Sequence, residues 1–399
     1  MLLGVNLLKT LFCLRVSNIL RILLPTMRNV RNIALVHDWL VSMRGGEKVL
    51  EVLCELFPNA KLFTLVHKKG KLSSPIERMN IKTSFLQKMP LATSRYQYYL
   101  PLFPAAIERF DMSEFDLVIS SSHAAAKGVR VHKNALHICY CYTPMRYIWD
   151  QYEQYFGNKR ASLIARTSMK LMLNYLRRWD VASSRGVNDF IGISNAVRDR
   201  IRSTYNRDAA VIYPPVDVNR FSISDRDEGY YLIVSALVPY KMIDLAVEAF
   251  NRLGERLIII GTGNEERKLK DLAKRNIEFL GWADDDEVKK YYEGCRALVF
   301  PGEEDFGIVP VEAMACGKPV IAFGKGGALE TVVDSKTGVF FKDQTVESLV
   351  AAVNKLRGIS FDSKIIRAHS MQFDRNIFKT SIENFISTKC NEFFSSGNS

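Results

Sequence analysis

Two carboxylates, Glu304 and Glu312, stand with seven residues between them. The first lies in the loop Gly302-Glu303-Glu304-Asp305-Phe306-Gly307 and the second about a turn into the helix that follows. Placed there, at the carboxyl edge of a sheet, they can accept hydrogen bonds from sugar and ribose hydroxyls. The competing reading is that either one only charges or caps the start of that helix. Three further glycine turns fall between a strand and a helix: Gly45-Gly46, Gly261-Thr262-Gly263, and Gly324-Lys325-Gly326-Gly327 with Glu330 behind it. Free N–H groups at such turns suit phosphate. Lys241, after Ser235-Ala236-Leu237-Val238-Pro239-Tyr240, could bring an ammonium to the same anion. The full G-x-G-x-x-G of dinucleotide enzymes is not present at Gly45-Gly46. No Asp-x-Asp pair stands in a strand-end loop, and Asp284–Glu287 reads as a helix start, so no metal and no cofactor is expected.

These residues need strand ends to hold them. Short apolar runs predict parallel strands at Asn32–His37, Lys61–Val66, Asp116–Ser120 and Leu136–Tyr142, with a helix over Glu47–Phe57 and a basic helical stretch from Trp149 to Ser184. The alternation restarts at Asp189–Ile193, continues through Ala210–Tyr213, and then runs regularly from the strand YYLIVSAL to the strand PVIAFG. The expected architecture is α/β, with two Rossmann-like doubly wound domains. The boundaries read from the pattern are an extension at 1–27, a first domain at 28–188, a second at 189–370, and a helix and tail at 371–399. Phe373–Ile386 has helical apolar spacing.

A chain of 399 residues, 47% hydrophobic and 25% charged, is globular and long enough for two cores. Its charge is lopsided: residues 1–190 hold 27 Lys and Arg against 13 Asp and Glu, while the remainder is slightly acidic. A basic half suits nucleic acid, anionic lipid or phosphorylated ligands. The charge is not gathered into a nucleic-acid motif, so no nucleic-acid partner is expected. The seven cysteines are scattered and odd in number, which reads as a reduced, cytoplasmic protein. Residues 1–26 are apolar but interrupted by Lys9, Arg15 and Arg21, too often to span a bilayer. They read either as an interfacial amphipathic helix or as a segment upstream of true initiation at Met27.

Seven segments carry a resemblance: VHDWLVSMRGGEKVLE, SSHAAAKGV, CYTPMRYIWDQY, GISNAVRDRI, VIYPPVDVNRF, SALVPYKMIDLAVEAF and PGEEDFGIVPVEAMACGKPVIAFGKGGALETV. From about Asn32 to the C terminus the chain resembles retaining glycosyltransferases of family 4, which have the GT-B fold, and bacterial mannosyltransferases of surface-polysaccharide assembly in particular. The resemblance implies two domains facing across a cleft and a C-terminal helix crossing back to the first. It implies Glu304 near a donor sugar and Glu312 on a nucleotide ribose. Lys241, Gly326 and Gly327 would hold the donor diphosphate with Gly45 and Gly46, and Phe306, Gly307 and Glu330 complete the donor set. His123 is a candidate catalytic residue at the donor sugar or the acceptor hydroxyl; a histidine satisfied only structurally competes with that reading. Arg146, Tyr147 and Trp149 read as an acceptor surface, against the alternative of an ordinary packed loop. Many relatives carry Arg where this chain has Ala236, so one donor-phosphate cation is either missing or replaced by Arg44 or Lys325.

The function implied is metal-independent transfer, with retention, of a hexose from a nucleotide-sugar donor. Mannose from GDP-mannose is the first expectation. The acceptor would be a lipid-linked saccharide or oligosaccharide, met at the inner membrane surface by a peripheral cytoplasmic protein. Alternatives are a UDP-sugar donor, a GT-B nucleotide-sugar epimerase, and an inactive nucleotide-sugar-binding protein.

Overall fold

A computed structural model describes residues 30–149 and 163–396. The chain divides into two compact units. One comprises the residues through Cys141 with Asn174–Phe190 and Lys379 onward; the other holds Tyr142–Leu173 and Ile191–Phe378.

The strands in chain order are β1 (Ile33–His37), β2 (Lys61–Thr64), β3 (Asn80–Thr83), β4 (Leu117–Ser122), β5 (Leu136–Cys141), β6 (Asp189–Gly192) and β7 (Ala209–Val211), followed by β8 (Tyr230–Val234), β9 (Arg256–Ile260), β10 (Ile277–Gly281), β11 (Ala297–Phe300), β12 (Val320–Phe323) and β13 (Gly338–Phe341). The first sheet has the order β3-β2-β1-β4-β5-β6-β7 and the second β10-β9-β8-β11-β12-β13. Every central pairing is parallel; Val36 sits opposite Phe63 on one side of β1 and Ser120 on the other. Strands covered on both faces should read as continuous apolar runs. β4, β5, β11 and β12 are buried at every residue; β11 and β12 are apolar throughout, whereas β4 ends in Ser120, Ser121 and Ser122 and β5 holds His137.

Two strands are absent from the expected set, although Gly338–Phe341 is itself apolar and mostly buried. Asn80–Thr83 is largely exposed at the edge of its sheet, where a polar strand costs nothing in burial. Gly338–Phe341 is short and stands at the opposite edge of the second sheet. The topology also counts Asp189–Gly192 and Ala209–Val211 with the first sheet, although compactness groups Ile191 onward with the second unit. The regular alternation that builds the second sheet begins at Tyr230.

Helices close over these sheets by their apolar faces. Ile243–Leu253 buries Ile243, Ala246, Val247 and Phe250, at the i, i+3, i+4 and i+7 spacing of a helix that covers a sheet. Phe250 meets Tyr231 of β8 edge to face, ring centroids 5.1 Å apart. The helix stops at Gly254, whose φ of +72° ends it in the left-handed cap conformation. Helix Arg375–Ser396 leaves the second unit at Phe378 and is grouped with the first from Lys379.

Each sheet order reverses once, between β1 and β4 in the first and between β8 and β11 in the second. At such a switch point the loops leaving the two strands diverge to opposite faces and leave a crevice at their carboxyl ends, where open α/β sheets bind ligands. The residues singled out by chemistry gather on and beside those four loops.

Candidate active site

In the second unit the loop after β8 ends in Lys241 and the loop after β11 contains Glu304. Lys241 Nζ donates to Glu304 Oε1, so an ion pair spans the switch point. A third loop, after β12, is tied to the second. Glu304 and Gly326 form a parallel bridge, and Gly327 N donates to Glu304 O at 2.8 Å. Glycine is required there by close approach. A Cβ on Gly327 would lie 2.3 Å from Phe306 Cα, and one on Gly326 would lie 2.4 Å from Glu304 O, with φ at +64°. The carboxylate loop and the glycine turn are therefore one backbone unit.

Phe306 is buried against Tyr213 and Phe373, with ring centroids 5.6 and 5.4 Å away, which anchors the loop from below. Gly307, at φ +100°, starts helix Ile308–Ala315 and brings Glu312 up on its first turns. Glu312 Oε2 accepts from the hydroxyl of Tyr292 at 3.0 Å. Burial, and after it the Glu312 carboxylate, pushes the Tyr292 phenol well up, so it remains a donor that fixes one Glu312 oxygen. Glu330 is engaged locally. It accepts from Asn195 N, Asn195 Nδ2 and Ala196 N at 2.7–3.1 Å, charging the amino end of helix Asn195–Tyr205. Ala236 is exposed, and Lys325 Nζ lies 3.0 Å from Glu303 Oε2 beside the glycine turn.

Arg146, read as acceptor-facing, is directed at Asp305 Oδ1, 3.4 Å away, and its Nε is buried with no hydrogen-bond partner among the described residues. Arg200, which drew no attention in the sequence, donates to the same Asp305 oxygen at 2.5 Å and to Thr143 Oγ1 at 2.8 Å. Two guanidinium groups thus converge on the residue next to Glu304. Trp149 is half-buried; the Tyr147 side chain and residues 150–162 lie outside what is described.

The first unit repeats the pattern with a carboxylate and a histidine. Asp38, the residue after β1, is fully buried. Its Oδ2 accepts from His123 N and Ala124 N, and its Oδ1 from Ala125 N and Ala126 N, at 2.6–3.0 Å. His123 Nδ1 lies 3.2 Å from Asp38 Oδ2, and the His123 ring packs edge-on against Trp39 at 4.2 Å. Burial lowers the affinity of the His123 ring for a proton, and Asp38 partly opposes that. With Nδ1 turned to the carboxylate, Nε2 is the nitrogen on the far side of the ring from Asp38. Gly45 and Gly46 open helix Gly45–Leu56, whose Glu47 side chain accepts from Arg44 N at 3.0 Å. Buried beneath them, His37 lies 3.7 Å from Glu47 Oε1 and 3.0 Å from Ser121 Oγ.

Asp38 and Arg200 are the residues that sequence reasoning passed over. The Asp directly after a buried strand in VHDWL, with four consecutive residues of the SSHAAAKG loop to satisfy, was the available signal for the first. Arg200 carries none, because its partners lie 57 and 105 residues away. Among the described residues no group of three or more His, Cys, Asp or Glu is placed to hold a metal ion. No helix there is long and apolar enough to cross a membrane.

Residues 217–358 match the family model described as Glycosyl transferases group 1. An uncharacterized glycosyltransferase of Methanocaldococcus jannaschii is 32% identical over 171 residues, 42% of this chain and 48% of that protein. A GDP-mannose-dependent alpha-(1-6)-phosphatidylinositol monomannoside mannosyltransferase of Mycolicibacterium smegmatis is 29% identical, over 41% of this chain and 51% of its own length. The chain spans about half the length of the curated relatives it matches. Anabaena HepE, solved in complex with UDP, superimposes with a TM-score of 0.68 at 18% identity, over 90% of this chain and all of that one. The two parallel-sheet Rossmann-like units are those of the GT-B glycosyltransferase fold, and residues 217–358 carry a glycosyl transferases group 1 domain.

Proposed function

We propose that the protein is a glycosyltransferase that moves a hexose from a nucleotide-sugar donor to a lipid-linked saccharide, with retention at the anomeric carbon. The observation that carries this reading is the single backbone unit formed by Glu304 and the Gly326-Gly327 turn, with Lys241 brought to it across the β8–β11 switch point. That unit offers a cation, turn N–H groups and carboxylates over a short span, matching diphosphate, sugar and ribose in turn.

In this reading Lys241 and the glycine turn stabilise charge on the departing diphosphate, and no metal is needed. Glu304 accepts from a hydroxyl of the donor sugar, and Glu312 accepts from the ribose with its oxygen set by Tyr292. The bond from the anomeric carbon to the phosphate oxygen breaks, its electron pair leaving with the diphosphate. The acceptor oxygen bonds to that carbon from the same face and passes its proton to a phosphate oxygen. No side chain is assigned as nucleophile. His123, oriented by Asp38, presents Nε2 to the sugar or to the acceptor hydroxyl.

Mannose from GDP-mannose is the favoured donor, supported by the seven matched segments and by the mannosyltransferases among the relatives. A UDP-sugar is the alternative. The protein would act from the cytoplasmic side, held peripherally at the membrane. The test is incubation with GDP-mannose and with UDP-glucose beside a lipid-diphosphate-linked saccharide. Mass spectrometry should show one hexose added from one donor only. Release of an isomerised nucleotide sugar with no transfer would point to an epimerase and refute the proposal.

A further inference from the structure

Between Arg78 and Ile107 the first unit holds four cations, Arg78, Lys82, Lys88 and Arg95, and no carboxylate. The same stretch exposes large apolar side chains: Met89, Leu91, Tyr98 and Leu102 are 36, 62, 69 and 39% exposed. Leu91 is held out on a left-handed backbone, φ +54°, that a leucine seldom adopts. The segment is braced on itself. Arg95 N donates to Leu91 O at 2.8 Å, Tyr99 OH to Pro90 O at 2.6 Å, and Arg95 Nη1 to Tyr98 OH at 2.8 Å. Its inner side differs: Tyr96 and Phe103 are buried against Trp39, with ring centroids 4.6 and 6.0 Å away, and Trp39 touches His123.

We propose that this outer face rests on a bilayer containing anionic lipid. Exposed large apolar side chains interleaved with cations and no carboxylate along one segment mark a surface that buries itself in a headgroup layer. Tyrosine is favoured at that depth, and each lysine or arginine near an anionic surface adds attraction. A soluble acidic protein would satisfy the charges but gains less from a tyrosine and leucines left exposed in one segment. The inference rests on the proposed lipid-linked acceptor, which it would bring one aromatic layer from His123.

The test uses the full chain carrying Tyr98→Trp, with vesicles of phosphatidylcholine alone or mixed with phosphatidylglycerol. Emission from the new indole should shift to the blue on the anionic vesicles and be quenched by brominated lipid, beyond any response of the native tryptophans. Lys82→Gln with Lys88→Gln should weaken partition onto anionic vesicles by roughly 25-fold, from about fivefold per cation. A chain that sediments with vesicles while the indole at position 98 is unmoved overturns the assignment. So does a chain that does not bind them, or an indole already blue-shifted without lipid. Nucleotide-dependent thermal shifts read the donor site separately. Their retention with no vesicle binding refutes this surface alone; their loss while the position-98 indole still responds refutes the transferase reading alone.

Discussion

Replacing Asp38 by asparagine should uncouple the His123 loop while leaving most of the first unit intact. The carboxylate accepts four backbone N–H groups, two on each oxygen, from the buried Ala124, Ala125 and Ala126 and from the part-buried His123. An asparagine keeps one oxygen and sets an NH₂ group against the other two donors. Two hydrogen bonds to a charged acceptor, each worth about 1.5–3 kcal/mol, are lost. Rotation of the loop and entry of water recover part of that, leaving about 3 kcal/mol, a factor of roughly 150 in local opening. Hydrogen exchange followed by mass spectrometry on a peptide spanning residues 120–128 reads this opening directly. Acceleration of the order stated, confined to that peptide and those packed on it, is the expected result. Exchange unchanged within threefold would show that Asp38 does not hold the loop, and the orientation assigned to His123 would fall with it.

Gly327→Ala should displace the 304–307 loop, because the new methyl group meets Phe306 backbone at 2.3 Å. Nucleotide-sugar binding measured by calorimetry should weaken by roughly 5- to 150-fold, in line with about 1–3 kcal/mol of overpacking. Lys127 and Asp180 form a buried pair with Nζ 2.5 Å from Oδ1. Lys127→Met should cost about 3–5 kcal/mol in urea unfolding by stranding Asp180, and Lys127→Met with Asp180→Leu should restore most of it. His137 is fully buried and its proton affinity is pushed down by burial to about 4. An unfolded histidine takes up its proton near 6.5, so the unfolded state gains stability first as pH falls. The fold should lose up to about 3 kcal/mol between pH 6.5 and 4. In denaturant titrations across that range, His137→Leu should reduce the slope.

How much was legible beforehand depends on where each signal resides. Buried parallel strands write themselves as apolar runs, so β1, β4, β5 and the strands from Tyr230 to Phe323 could be read closely. Edge strands do not: Asn80–Thr83 has one apolar residue and takes its strand form from pairing with β2. Glu304, Gly326, Gly327 and Lys241 lie on three neighbouring strand-to-helix connections, with Glu312 on the helix after one of them, and their residue types made them candidates. What they touch was not legible. The Tyr292 hydroxyl on Glu312, the helix end held by Glu330 and the convergence of Arg146 and Arg200 on Asp305 arise from long-range packing, which leaves no local periodicity. Asp38 is intermediate, visible as a charge placed after an apolar strand but understandable only once β4 lies beside β1.

The most direct test of the donor site is thermal unfolding of the full chain with GDP, UDP, ADP and their mannose or glucose forms. A ligand at about a hundred times its Kd adds roughly 2.7 kcal/mol to the folded state. We expect GDP and GDP-mannose to raise the midpoint and the other bases to leave it unmoved, with the rise reduced by Gly327→Ala. A rise with UDP compounds alone would keep the transferase and replace the sugar donor. No rise with any nucleotide would contradict the donor site itself.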